Sequence, residues 1–135
     1  SRLLEGKASY KYFTNYLGVL FLRWVINTLF GCRTTDPATA MKILNGQHAR
    51  SITLDSDGFD LDFEIVTRTT RLGGNIIERP ISYFPRTIAQ GKKLRAYRDG
   101  FYALKAILRD RLRPAHHFVK SETKPNRNID ITSKR

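Results

Sequence analysis

From Tyr12 to Phe30 the chain is apolar almost all the way round a helical wheel, interrupted only by a narrow stripe of Asn15, Arg23 and Asn27. Gly31 then stops it, because glycine accepts the left-handed backbone that ends helices. A helix of this kind must be covered by the rest of the chain or by lipid. Its uninterrupted part, Tyr16 to Phe30, would run roughly 22 Å at helical rise, shorter than a hydrocarbon core, and Arg23 falls near its middle. The sequence therefore predicts a mostly enclosed core helix in preference to a membrane span, with an in-plane interfacial helix lying between the two readings.

The remainder must supply that cover. At 135 residues and 41% apolar content there is enough material for one domain, or a piece of a larger one, and wholesale disorder is excluded. Cys32 is the single cysteine, so internal disulfides and cysteine-cluster metal sites are excluded. Residues 1–11 are polar and carry no cleavable signal pattern. The net charge of +12 is uneven: residues 1–85 hold 10 basic and 8 acidic side chains, residues 86–135 hold 14 and 4. Such a field favours phosphate-bearing partners without choosing among nucleotides, nucleic acid and anionic lipid.

After the apolar helix, Thr34, Thr35, Asp36 and Pro37 form a turn signature, since Pro37 drives Asp36 out of helical geometry. Met41 to Leu44 reads as a short strand and Phe63 to Leu72 as a helix ended by Gly73 and Gly74. Asn75 to Phe84 reads as a strand with Ile77, Ile81 and Tyr83 on one face and Pro80 marking it as an edge. A basic loop, Pro85 to Arg95, follows. Tyr97, Phe101, Leu104, Leu108 and Leu112 then recur on one helix face, with Lys105, Arg109 and Arg111 on the other side and Pro114 at the end. Ala115 to Arg135 has few large apolar residues and reads as a mobile basic tail.

Residues of possible chemistry were tested by register. An EF-hand loop around Gly58 fails, because Thr53 would stand at its first ligand position and Asp60 at its apolar one. Asp55-Ser56-Asp57 could hold a divalent ion against a diphosphate, yet no nucleotide pocket is built ahead of it, so a solvated loop before a helix N-terminus is preferred. His116-His117 lacks a further metal ligand nearby. Asp36, in a rigid turn after the apolar helix, is placed to aim a carboxylate into a cleft. Arg86, Lys92 and Lys93 could close over phosphate oxygens.

The order of these blocks is more specific than any one of them. Ser1-Arg2, the apolar helix, Thr35-Asp36-Pro37-Ala38-Thr39 with Lys42, Gly58-Phe59-Asp60 with Glu64-Ile65, Ile77 to Tyr83, Arg86-Thr87 with Gly91-Lys92-Lys93, and Arg98-Asp99-Gly100 together resemble the family 2 glycosyltransferases, most closely the dolichol- and polyprenyl-phosphate sugar synthases. The resemblance covers residues 1–113 as a partial glycosyltransferase domain and leaves 114–135 as the tail. It implies an α/β GT-A fold, of which this chain would be the acceptor-side C-terminal portion, with the N-terminal nucleotide-binding half as a missing partner. It implies sugar transfer from a nucleotide diphosphate sugar to a polyprenyl phosphate, by an enzyme attached peripherally to the cytoplasmic side of an anionic membrane. A divalent cation, Mg2+ or Mn2+, would serve the complete enzyme through ligands outside this chain, which would be inactive alone. By the same resemblance Asp36 is the catalytic carboxylate, Arg2 lies near the acceptor phosphate, and Arg86, Lys92 and Lys93 belong to the phosphate-binding loop. Gln90 stands where family members often carry Glu, and Lys11 and Asn15 where an arginine and a serine are common.

The rival class is a non-catalytic basic module that grips nucleic acid or anionic membrane. No recognition helix, RNA-binding sheet or zinc-finger pattern accompanies the charge, and aromatic residues are not interleaved with the basic tail, so no nucleic-acid partner is expected.

Overall fold

The computed structural model describes residues 1–3, 13–82 and 96–120. Four α-helices are present among them: α1 (Phe13–Phe30), α2 (Gly46–Ser51), α3 (Leu61–Arg71) and α4 (Ala96–Leu112), followed by a 3-10 turn at Ala115–Phe118. α1, α3 and α4 pack on one another round a core of Val19, Leu22, Val25 and Ile26 from α1, Phe63 and Val66 from α3, and Ala103 and Ile107 from α4.

This arrangement corrects the expected α/β GT-A fold: among the described residues 56% are helix and 2% strand, with no sheet. The physical reason lies in the two predicted strands. Residues 41–45 and 75–82 take no strand structure and form no ladder among the described residues; 75–82 is tied to Ser1 by the Ile81 N–H, which donates to Ser1 O at 3.2 Å, and by the Ser1 amino group, which donates to Arg79 O at 2.6 Å. The sole β pairing among the described residues is an isolated antiparallel bridge between Ile52 and Val119.

Helix ends follow the sequence closely. α1 stops at Gly31, whose φ of 65° only glycine adopts without strain, and α3 is followed by Gly73 at 76°. Which faces are buried does not follow it. α1 is covered on one side only: Phe13, Leu17, Phe21 and Trp24 form an exposed row, Trp24 being 64% exposed. On α4 most of the predicted apolar face lies outward, with Tyr97, Phe101, Leu108 and Leu112 exposed and Leu104 alone of that face packed against the core, while Ala103, Ala106, Ile107 and Asp110 are buried. Two small alanines let α4 approach α3 closely, and Asp110 finds its partner there.

That partner is Arg68. Its guanidinium, 1% exposed, contacts Glu64 and Asp110, both fully buried, and Asp55 at 2.7 Å, and its face lies 4.8 Å from the centre of the Phe118 ring. Arg109 bonds Glu64 and Asp110, and Arg113 bonds Asp55, so three cations meet three anions with no charge left over. Phe118 is fully buried and Lys120 N–H donates to Ser51 O at 2.7 Å, so the packed chain continues past Pro114 as far as residue 120. Residues 121–135 lie outside the described residues. No helix among the described residues is long and apolar enough to cross a membrane.

Candidate functional site

Three segments converge on Asp36. The side chain of Asn27 in α1 donates to Thr34 O and accepts from Thr34 N–H, which brings the chain straight back after Gly31 and fixes the start of the 34–39 turn. Pro37 then holds the turn open, and the Asp36 carboxylate points inward, its side chain fully buried. Arg2 meets it in a two-pronged contact: Nε donates to Oδ2 and Nη2 to Oδ1, both at 2.7 Å, while the Arg2 backbone N–H donates to Oδ2 at 3.0 Å. The Thr39 hydroxyl adds a fourth donor at 2.5 Å. Burial alone would raise the Asp36 pKa, but the Arg2 and Thr39 bonds outweigh it and hold it at about 2.

The third segment is 75–82. Glu78 reaches the turn from it and accepts from the hydroxyls of Thr34 and Thr35 and the backbone N–H groups of Thr35 and Asp36. Burial works against its charge, yet these donors bring its pKa below the ordinary glutamate value. Lys42, behind the turn, gives its ammonium to Asp62 at 2.9 Å, to Pro37 O at 3.1 Å and to Thr39 O. Burial is the main influence on it and lowers its pKa, with Asp62 opposing.

Beside this polar knot lies a pocket of about 460 Å³. Asp36, Lys42, Glu78 and Arg79 stand on its wall, and Ile43, Leu44, Ile65, Val66, Ile76 and Ile77 supply an apolar lining. Ile43 and Ile77 lie at the surface, 95% and 73% exposed, so the pocket opens outward along an apolar rim.

Of the residues singled out in the sequence, Asp36 and Arg2 are brought together. Arg86, Lys92 and Lys93 lie outside the described residues. Lys42, Glu78 and Arg79 were quoted only as parts of longer blocks, without roles. No local pattern in the sequence ties Glu78 to the turn, from which it lies 42 residues away.

The expected divalent cation does not fit the carboxylates described here. Asp36 is committed to Arg2 and Thr39, Asp62 to Lys42, and Glu78 to five hydrogen bonds; among the described residues no group of three or more His, Cys, Asp or Glu side chains could hold a metal ion. Asp55, part of the acidic run, is taken by Arg68 and Arg113, and the Asp55 and Ser56 N–H groups close onto Glu64. That loop is a structural clamp. Burial pushes the Cys32 thiol up, so it is a poor nucleophile.

No family model, no curated protein and no solved structure matches this chain.

Proposed function

We propose that the chain forms the acceptor side of an enzyme that transfers a sugar from a nucleotide diphosphate sugar to a polyprenyl phosphate, working at an anionic membrane surface. The observation that carries the reading is a pocket whose wall sets Asp36, which Arg2 grips in a two-pronged contact, and Arg79 against an apolar lining. A lipid phosphate has the same two-ended chemistry. Its phosphate would meet Arg2 and Arg79, and its first isoprene units would lie along Ile43, Leu44 and Ile77.

In this reading a phosphate oxygen attacks the anomeric carbon of the sugar, the bond from that carbon to the diphosphate oxygen breaks, and the nucleoside diphosphate leaves. A phosphate monoester is already ionised at neutral pH, so no proton need be removed. Asp36 with a pKa of about 2 is a weak base, and it serves by holding Arg2 where the acceptor phosphate arrives. The charged side chains on the pocket wall balance: Lys42 and Arg79 against Asp36 and Glu78. Neutralisation of a leaving diphosphate therefore falls to Arg86, Lys92 and Lys93, on the strength of the resemblance.

Peripheral attachment is part of the same proposal. The exposed row of Phe13, Leu17, Phe21 and Trp24, on a helix whose one charge is Arg23, suits the headgroup boundary of a bilayer, and the net charge of +12 suits an anionic one.

Isothermal titration with farnesyl phosphate, a soluble short-chain acceptor, tests the site. Saturable binding at one site, weakened roughly tenfold or more by Arg2→Ala, is expected. Absence of farnesyl phosphate binding, with tight binding of a single-stranded oligonucleotide instead, would replace this reading with the nucleic-acid module.

A further inference from the structure

We infer that Glu78 is the positioning residue of the acceptor site: its carboxylate, set against residues 34–36, fixes the turn from which Asp36 holds Arg2. The inference rests on the acceptor reading above and adds a residue to it.

Every bond Glu78 makes goes to that turn. Oε1 accepts from the Thr34 hydroxyl at 2.7 Å, the Thr35 N–H at 3.0 Å and the Asp36 N–H at 3.1 Å. Oε2 accepts from the Thr35 N–H at 2.8 Å and the Thr35 hydroxyl at 2.6 Å. All these donors are neutral, so Glu78 is held by the number and direction of its acceptor sites and not by pairing with a cation. With both oxygens taken, it is a poor proton acceptor for a substrate.

The geometry also explains why a carboxylate is needed. The Thr35 N–H is shared between the two oxygens and has no choice of direction. A glutamine would turn an N–H toward one end of this donor set and leave one of the donors facing another donor. Threonine hydroxyls can rotate to accept, but the backbone N–H groups of Thr35 and Asp36 cannot. The Asp36 N–H lies on the residue that grips Arg2, so a loosened turn moves the Asp36 carboxylate directly.

Glu78 itself is no part of the apolar core, although its segment borders it through Ile76. Residues 75–82 have no strand partner among the described residues. The tie of Glu78 to the turn sets the relation between that segment and Asp36 together with the Thr35 hydroxyl contact to Ser1 at 2.7 Å, the Ile81 bond to Ser1 and the bond from the Ser1 amino group to Arg79 O at 2.6 Å.

The test uses the full chain, carbon-13 titration of the Asp36 carboxyl, and isothermal titration with farnesyl phosphate. Glu78→Gln should keep a cooperative unfolding transition, move the Asp36 midpoint from about 2 toward its ordinary 3.8, and weaken farnesyl phosphate roughly tenfold. Thr35→Val, which removes one hydroxyl and keeps the backbone donors, should move both readouts the same way by roughly threefold in affinity; it carries the test if Glu78→Gln does not fold. An Asp36 midpoint that stays at the wild-type value in the folded variants overturns the inference. A shifted midpoint in a chain whose wild type does not bind farnesyl phosphate keeps the positioning role and overturns the acceptor reading alone.

Discussion

Asp36 is where a single residue's environment has a measurable consequence. Its folded-state pKa of about 2 lies below the ordinary 3.8, so its contribution to stability is complete above about pH 4 and disappears as pH falls toward 2. The size is at most about 2 kcal/mol. Asp55 and Glu78 are shifted in the same direction and add to the loss over the same acid range. Thermal unfolding followed from pH 6 to pH 2 should fall less steeply for Asp36→Asn than for the wild type; parallel curves would contradict the pairing with Arg2. The Thr35-Asp36-Pro37 turn was legible in the sequence because proline restricts its predecessor whatever the tertiary context. The Glu78 contact was not, since 42 residues separate it from Asp36 and no local pattern reports which extended segment will lie against a turn.

At the level of elements, periodicity located α1, α3 and α4, missed the short α2, and misjudged which faces of α1 and α4 are buried. α1 and α4 carry large apolar residues on more than one side, and spacing cannot decide which side the other helices cover. On α4 the decision falls to Asp110, an acidic residue that Arg68 draws into the core. Arg68→Met should cost about 3–5 kcal/mol in urea unfolding, because Glu64 and Asp110 are then buried with less than their complement of positive charge. Arg98→Ala, at a position 61% exposed, should change stability by less than about 0.5 kcal/mol. Equal effects would mean that the buried network is not what joins α3 to α4. The outer row of α1 has its own test. Phe21→Ser with Trp24→Ser should leave the unfolding midpoint nearly unchanged and reduce co-sedimentation with phosphatidylserine vesicles, and unchanged sedimentation would remove α1 from membrane attachment.

Across the whole molecule, the candidate site borders the core: Val66 belongs to both, and Ile76 of the pocket wall packs against the core. Helices α1, α3 and α4 close round apolar side chains and a balanced ionic knot, while segments 41–45 and 75–82 lie beside them and shape the pocket. The charge excess lies elsewhere in the sequence, since residues 86–135 hold 14 basic against 4 acidic side chains. The expected GT-A sheet failed because strand-like sequence becomes a sheet only where neighbouring strands complete its hydrogen bonds. The central claim is that a polyprenyl phosphate binds with its phosphate at Arg2 and Asp36 and its chain along the apolar pocket. Photolabelling with a farnesyl phosphate analogue carrying a benzophenone at its far end, read by peptide mass spectrometry, tests this most directly. The account expects adducts within residues 41–48 or 74–81, competed by unlabelled farnesyl phosphate and lost in Asp36→Asn; adducts confined to residues 13–30, or labelling that farnesyl phosphate does not compete, would contradict it.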